Sequence, residues 1–131
     1  MSSSFLRTAA TGVIAAVVLV TLIWVVARVT GDDVRVQTPG ADAPEPMEVY
    51  YPAVATIFNG VVGAGIVWLL RKRSSGRMIF LGLAAAVLIF QGMSAFTAPD
   101  SNGTAIWLNV MHLAAAGALV PTFLRLFARS V

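Results

Sequence analysis

Four apolar stretches of about 20 residues limit what this chain can fold into. They cover residues 8–29, 49–70, 78–96 and 105–124. A helix needs about 20 residues to cross about 30 Å of hydrocarbon. Each stretch is therefore long enough to span a bilayer once. We predict an all-α membrane protein in which residues 1–131 form a single bundle of four transmembrane helices.

The composition excludes a soluble globule of this size. The chain is 58% hydrophobic and only 11% charged, which leaves too little polar surface to cover a soluble domain. The first stretch is also too long for the apolar core of a secretory signal, which is roughly 7–15 residues, and residues 26–29 lack a small-x-small cleavage site. We interpret it as an uncleaved first span.

The charges alternate along the chain. All six acidic residues lie in the connections 30–48 and 97–104. Basic residues are concentrated in the other segments: Arg7, Arg71, Lys72, Arg73, Arg77, Arg125 and Arg129. Because cytoplasmic segments of membrane proteins are enriched in Lys and Arg, the pattern predicts that both termini are cytoplasmic. Residues 30–48 would then form an external acidic loop, and its many Pro and Gly residues predict a mobile or extended segment.

The basic loop between the second and third stretches allows two interpretations. Arg71, Lys72, Arg73 and Arg77 are most simply the signal that fixes the topology. They could also bind anionic phospholipid head groups, at about 1 kcal/mol for each charge near the surface. Since the basic residues lie beside membrane spans, we expect the lipid bilayer as their partner, and no nucleic acid.

Polar side chains inside the spans are few and uncharged. They are Asn59, Gln91, Asn109 and His112. At 1.5 Å per residue they lie about 15, 8, 6 and 10 Å from the external ends, so we expect one cluster in the outer half of the bilayer. No Asp, Glu, Lys or Arg lies deep in a span, which argues against pumps and ion-coupled carriers.

The cluster has two possible roles. The simpler one is interhelical hydrogen bonding, worth about 0.6 kcal/mol per bond. The other is a small pocket open to the outside, where His112 senses protons or binds a ligand. A cavity that reaches His112 would favour the pocket, and a dry, packed cluster would favour hydrogen bonding alone. Because the chain has no cysteine and one histidine, we expect no metal and no cofactor. Because no carboxylate lies in the spans to orient His112 for catalysis, we do not expect an enzyme.

Small residues recur at four-residue spacing in the first three stretches, as Gly12/Ala16, Gly60/Ala64 and Gly82/Ala86, and span four contains a further small-residue run at 114–118. Such pairs let helix backbones approach closely in lipid. We expect them to serve packing within the chain, with a dimer face as the alternative.

The connection 97–104 has the residues typical of a turn and offers Ser, Asn or Thr to cap the last helix.

The last stretch carries a resemblance. The run Met111-His112-Leu113, followed eight residues later by Pro121, resembles the closing segment of a family of small four-span bacterial membrane proteins catalogued as a domain of unknown function. The acidic, Pro- and Gly-rich loop is also similar, so that the resemblance covers nearly the whole chain. It implies a four-helix architecture in the cytoplasmic membrane and brings no substrate, cofactor or catalytic residue.

These observations favour a non-enzymatic protein of the bacterial cytoplasmic (inner) membrane. We expect an accessory or interaction subunit whose partner is another membrane protein or a second copy of the chain. The alternative is a small transporter, channel or ligand or pH sensor that uses the polar cluster around His112.

Overall fold

Four long helices dominate a computed structural model of the chain, in which residues 2–37, 40–97 and 101–128 are described. The helices are α1 (Ser3–Val29), α2 (Tyr50–Leu70), α3 (Gly76–Thr97) and α4 (Asn102–Ala128). All four are long and apolar enough to cross a membrane, with a mean hydropathy between 1.5 and 2.6 over their most apolar windows. The prediction of four helices of membrane-spanning length is confirmed.

Two helices begin before their apolar stretches because serine side chains cap them. The Oγ atom of Ser2 accepts a hydrogen bond from the Phe5 backbone N–H at 3.3 Å, and α1 starts at the next residue. The Oγ atom of Ser101 accepts one from the Thr104 N–H at 3.2 Å, at the start of α4. The predicted cap of the last helix is therefore confirmed. Residues 98–100 of that connection, and Arg129, lie outside the described residues.

The first and last helices are the closest partners. α1 packs most extensively on α4 and next on α2, and α3 packs mainly on α4, whereas α2 makes only limited contact with α3 and α4. A Cβ atom at Gly12 would lie 2.5 Å from Thr122 Cγ2, so the α1–α4 contact requires glycine there. Gly60 similarly lies against Val13, whereas Gly82 faces open space. The first two small-residue pairs thus serve packing within the chain.

Buried apolar side chains form two clusters, one at each end of the bundle. We call the end with the chain termini the basic end, and its cluster contains Phe5, Ala9, Ala16, Val67, Phe80, Leu119, Phe123, Leu126 and Phe127. The opposite end carries the connection between α1 and α2, which contains a short β-hairpin, and we call it the hairpin end. Its cluster contains Val20, Ala27, Val34, Met47 and Met111.

The connection between α1 and α2 is more ordered than its composition predicts. Strand β1 (Arg35–Val36) pairs antiparallel with β2 (Glu45–Pro46). Val34 and Met47, which flank this hairpin, are only 1% and 6% exposed because they pack among the helices. The two short strands agree with the extended form of the predicted loop, and Val34 and Met47 anchor its described part to the helices. Residues 38 and 39 lie outside the described part.

Large apolar side chains are exposed along the outer faces of all four helices. Phe58 is 67% exposed and Phe90 is 73% exposed, and Leu22 and Leu113 are exposed in the same way. Soluble monomers rarely expose apolar surface on this scale, whereas helices in a bilayer turn such faces to lipid.

Candidate functional site

A cavity of about 350 Å³ lies between α2, α3 and α4. Helix α4 forms its floor with the buried side chains of Leu119 and Phe123. Helices α2 and α3 form the walls, where Val62, Leu83 and Val87 line the cavity yet remain 44%, 46% and 49% exposed. Helices α2 and α3, which carry these exposed wall residues, make only limited contact with each other.

Three of the four predicted polar residues line this cavity, each from a different helix: Asn59 from α2, Gln91 from α3 and His112 from α4. At 1.5 Å per residue they lie about 14, 9 and 15 Å from the hairpin ends of their helices, and so within about one helical turn of each other in depth. The Nδ1 atom of His112 is buried and has no hydrogen-bond partner among the described residues.

Asn109 lies elsewhere and makes a structural contact. Its Nδ2 atom donates to the Ala105 carbonyl oxygen at 3.0 Å and to the Gly92 carbonyl oxygen at 3.4 Å. The second bond joins α4 to α3 where Gly92 allows close approach, because a Cβ atom at position 92 would lie 3.0 Å from Asn109 Oδ1. Asn109 is absent from the described cavity lining, and the interhelical hydrogen-bond interpretation fits it.

The sequence did not reveal which residues create the space. Ala115 and Ala116 line the cavity floor, where the small-residue run was interpreted as a packing surface. The basic end of the cavity is closed by Phe80 and Phe123, whose rings meet edge to face with centroids 5.9 Å apart. Thr56 also lines the cavity, but its hydroxyl already donates to the Pro52 carbonyl oxygen at 2.7 Å.

The hairpin covers the other end of the cavity. Met47 lines the cavity while its backbone N–H donates to the Val34 carbonyl oxygen at 2.7 Å. Its own carbonyl accepts a hydrogen bond from Trp24 Nε1 at 3.0 Å. A second cleft, of about 360 Å³, adjoins this end through Tyr51, and it is lined by Val36, Glu45, Pro46, Glu48, Tyr50 and Tyr51.

The four basic residues predicted to fix the topology or to bind lipid head groups are Arg71, Lys72, Arg73 and Arg77. They lie at the basic end and have two kinds of surroundings. The guanidinium carbon of Arg71 lies 5.7 Å from the ring centroids of both Phe5 and Trp68, so this side chain packs on aromatic faces. Lys72, Arg73 and Arg77 are exposed. All acidic side chains lie in the other two connections of the sequence, and the structure describes none of them beside this group.

Four helices of membrane-spanning length, three of which line a cavity, define a small multi-pass membrane protein. The chain belongs to the family of unknown function DUF6069, whose model matches residues 2–129. The resemblance noted in the sequence is confirmed to this extent. No curated protein and no solved structure matches the chain.

Proposed function

We propose that this protein is a multi-pass protein of the bacterial cytoplasmic membrane that binds a small ligand in the cavity at Asn59, Gln91 and His112. The observation that carries the proposal is the cavity itself, which reaches uncharged polar side chains from three helices. The sequence left a choice between a dry, packed cluster and an accessible pocket, and an open cavity favours the pocket. A ligand sensor or carrier is therefore preferred to a purely accessory subunit.

Binding without catalysis is the role that the lining supports. Among the described residues that line the cavity there is no carboxylate that could orient His112 as a base. Ser94, the hydroxyl nearest in depth on α3, donates to the Gln91 carbonyl oxygen at 2.9 Å and is absent from the described lining. Asn, Gln and His side chains in an apolar cavity are suited to orienting a ligand by hydrogen bonds.

The charge distribution supports a cytoplasmic location for the basic end and both termini. Exposed Lys72, Arg73 and Arg77 have no acidic neighbours among the residues that the structure describes at this end, as expected of a segment retained in the cytoplasm. The same side chains would contact anionic lipid head groups, at about 1 kcal/mol each.

An interaction subunit is the alternative function, and one observation favours it. On α3, a Cβ atom at Gly82 would meet no atom within 4 Å, and Ala86 is exposed on the same helix. A small-residue surface of this kind could pack against a second copy or another membrane protein.

Access to His112 tests the proposed function. It is the only histidine of the native sequence, so its imidazole NMR signals are unambiguous in an untagged protein embedded in nanodiscs. A small neutral nitroxide should broaden these signals by entering the cavity. In an Ala116→Trp variant, whose indole would occupy the cavity floor, the broadening should be lost. Signals that stay sharp in the native protein would overturn the proposal, because the polar residues would then be sealed from ligands.

A further inference from the structure

We infer that the ligand is a neutral amphiphile, with one apolar chain and one uncharged hydrogen-bonding head group, that enters from the bilayer between α2 and α3. This inference rests on the proposed function and adds the chemistry of the ligand and its path.

The cavity lining changes character along the bundle. We call the part of the cavity lined by Asn59, Gln91 and His112 the polar level. Tyr51 and Thr56 lie between this level and the hairpin end. From that level to the basic end the described lining is apolar throughout, and it includes Val62 and Ile66 on α2, Leu83 and Val87 on α3, and Leu119 and Phe123 on α4. On α4 this apolar part extends from His112 to Phe123, which corresponds to about 16 Å of helix. A ligand that matches both parts has a polar head and an apolar chain.

The polar level favours an uncharged head group. No Asp, Glu, Lys or Arg is among the described residues that line the cavity. An ionised group there would lose its hydration without gaining a counter-charge, which is costly in an apolar environment. The amides of Asn59 and Gln91 each offer donors and an acceptor, and His112 Nδ1 has no hydrogen-bond partner in the described part of the chain. A hydroxyl group, which both donates and accepts, fits these neighbours.

The shape of the cavity indicates a lateral path. Phe80 and Phe123 close the basic end, and Met47 of the anchored hairpin covers the opposite end. The exposed walls, in contrast, lie on α2 and α3, where these helices make limited contact. In a bilayer that opening faces hydrocarbon, so a membrane-soluble molecule reaches the polar level without crossing water.

Photolabelling of the full-length protein in phosphatidylcholine nanodiscs tests the inference. Decanol, decylamine, decanoic acid and decane, each carrying a diazirine at the chain end, would be compared, with cross-linked residues mapped by mass spectrometry. We expect decanol to label the apolar lining at least fivefold more strongly than the other three probes. Unlabelled decanol should compete with this labelling.

Neighbouring alanines on α3 provide matched variants. Ala84 lines the cavity, whereas Ala85 is exposed and absent from the described lining. Ala84→Trp should reduce labelling by decanol at least fivefold, and Ala85→Trp should leave it unchanged. His112→Leu should remove the preference for decanol over decane, while labelling by decane persists.

Each of the following four results would overturn the inference. Equal labelling in the two tryptophan variants would show ordinary contact with bilayer lipid. A preference for decylamine would place the head group at the Glu45 and Glu48 cleft instead, and a preference for decanoic acid would contradict an uncharged head. If the nitroxide reaches His112 but decanol shows no preference, the proposed cavity stands and only the ligand class fails.

Discussion

Asn109 and His112 lie one turn apart on α4 and have different surroundings. Asn109 directs its amide toward Gly92 on α3, whereas the side chain of His112 lines the cavity. The sequence assigned both to one cluster because residues three apart share a helix face. What separates them is the close approach of α3 at Gly92, which the spacing of polar residues does not reveal.

Asn109→Ala should therefore affect stability and leave the cavity accessible. Loss of the bond to α3 should lower the free energy of unfolding in detergent by about 0.6 kcal/mol, as is typical of hydrogen bonds between membrane helices. Nitroxide broadening of the His112 imidazole should be the same as in the native protein. Unchanged stability together with altered broadening would indicate that Asn109 acts at the cavity.

Gly12→Ala should destabilise the protein, because the added methyl group would lie 2.5 Å from Thr122 Cγ2 at the α1–α4 contact. Overpacking of this kind costs about 1–3 kcal/mol. Gly82→Ala is the matched control, since position 82 has open space around it. Unfolding of the two variants in detergent measures the difference, and equal effects would argue against the close α1–α4 contact.

At the scale of elements, the hairpin between α1 and α2 is held by two indole groups. Trp24 Nε1 donates to the Met47 carbonyl oxygen at 3.0 Å, and Trp107 Nε1 donates to Asp32 Oδ2 at 2.7 Å. Trp24 lies near the end of the stretch 8–29 and Trp107 near the start of the stretch 105–124, positions at the membrane interface where tryptophan is common. Their role in anchoring the hairpin depends on contacts between residues far apart in the chain.

Replacing each of these tryptophans with phenylalanine should loosen the hairpin and spare the helices. The loss of one hydrogen bond, at about 1 kcal/mol, corresponds to roughly fivefold faster amide hydrogen exchange in the hairpin. Trp68→Phe, at the basic end, is the control and should leave hairpin exchange unchanged. Faster exchange throughout the bundle would instead indicate that the indoles support the whole fold.

The helices could be predicted from the sequence because length and hydropathy alone define a membrane span. The site could be predicted only in part. The grouping of Asn59, Gln91 and His112 could be predicted from their depth along each helix. The cavity could not, because it depends on the limited contact of α2 with α3 and α4. Ala115 and Ala116 illustrate the difficulty, because small side chains allow either close packing or empty space, and only the positions of the neighbouring helices decide which.

At the scale of the whole molecule, the two ends of the bundle carry opposite charge patterns. The native chain has no cysteine, so single cysteines report topology without background. Ala43→Cys, in the hairpin connection, should react with a membrane-impermeant maleimide on intact cells. Ser74→Cys, in the basic loop, should react only after permeabilisation. The reverse pattern would invert the proposed orientation.

The close partnership of α1 and α4 has a consequence for the order of events during synthesis. The face of α1 that contains Gly12 packs against Thr122 of α4, which is translated about 110 residues later. Until α4 leaves the ribosome and enters the membrane, that face has no native partner from α4. Insertion of single helices can therefore begin with α1, but the α1–α4 contact forms only after α4 has been translated.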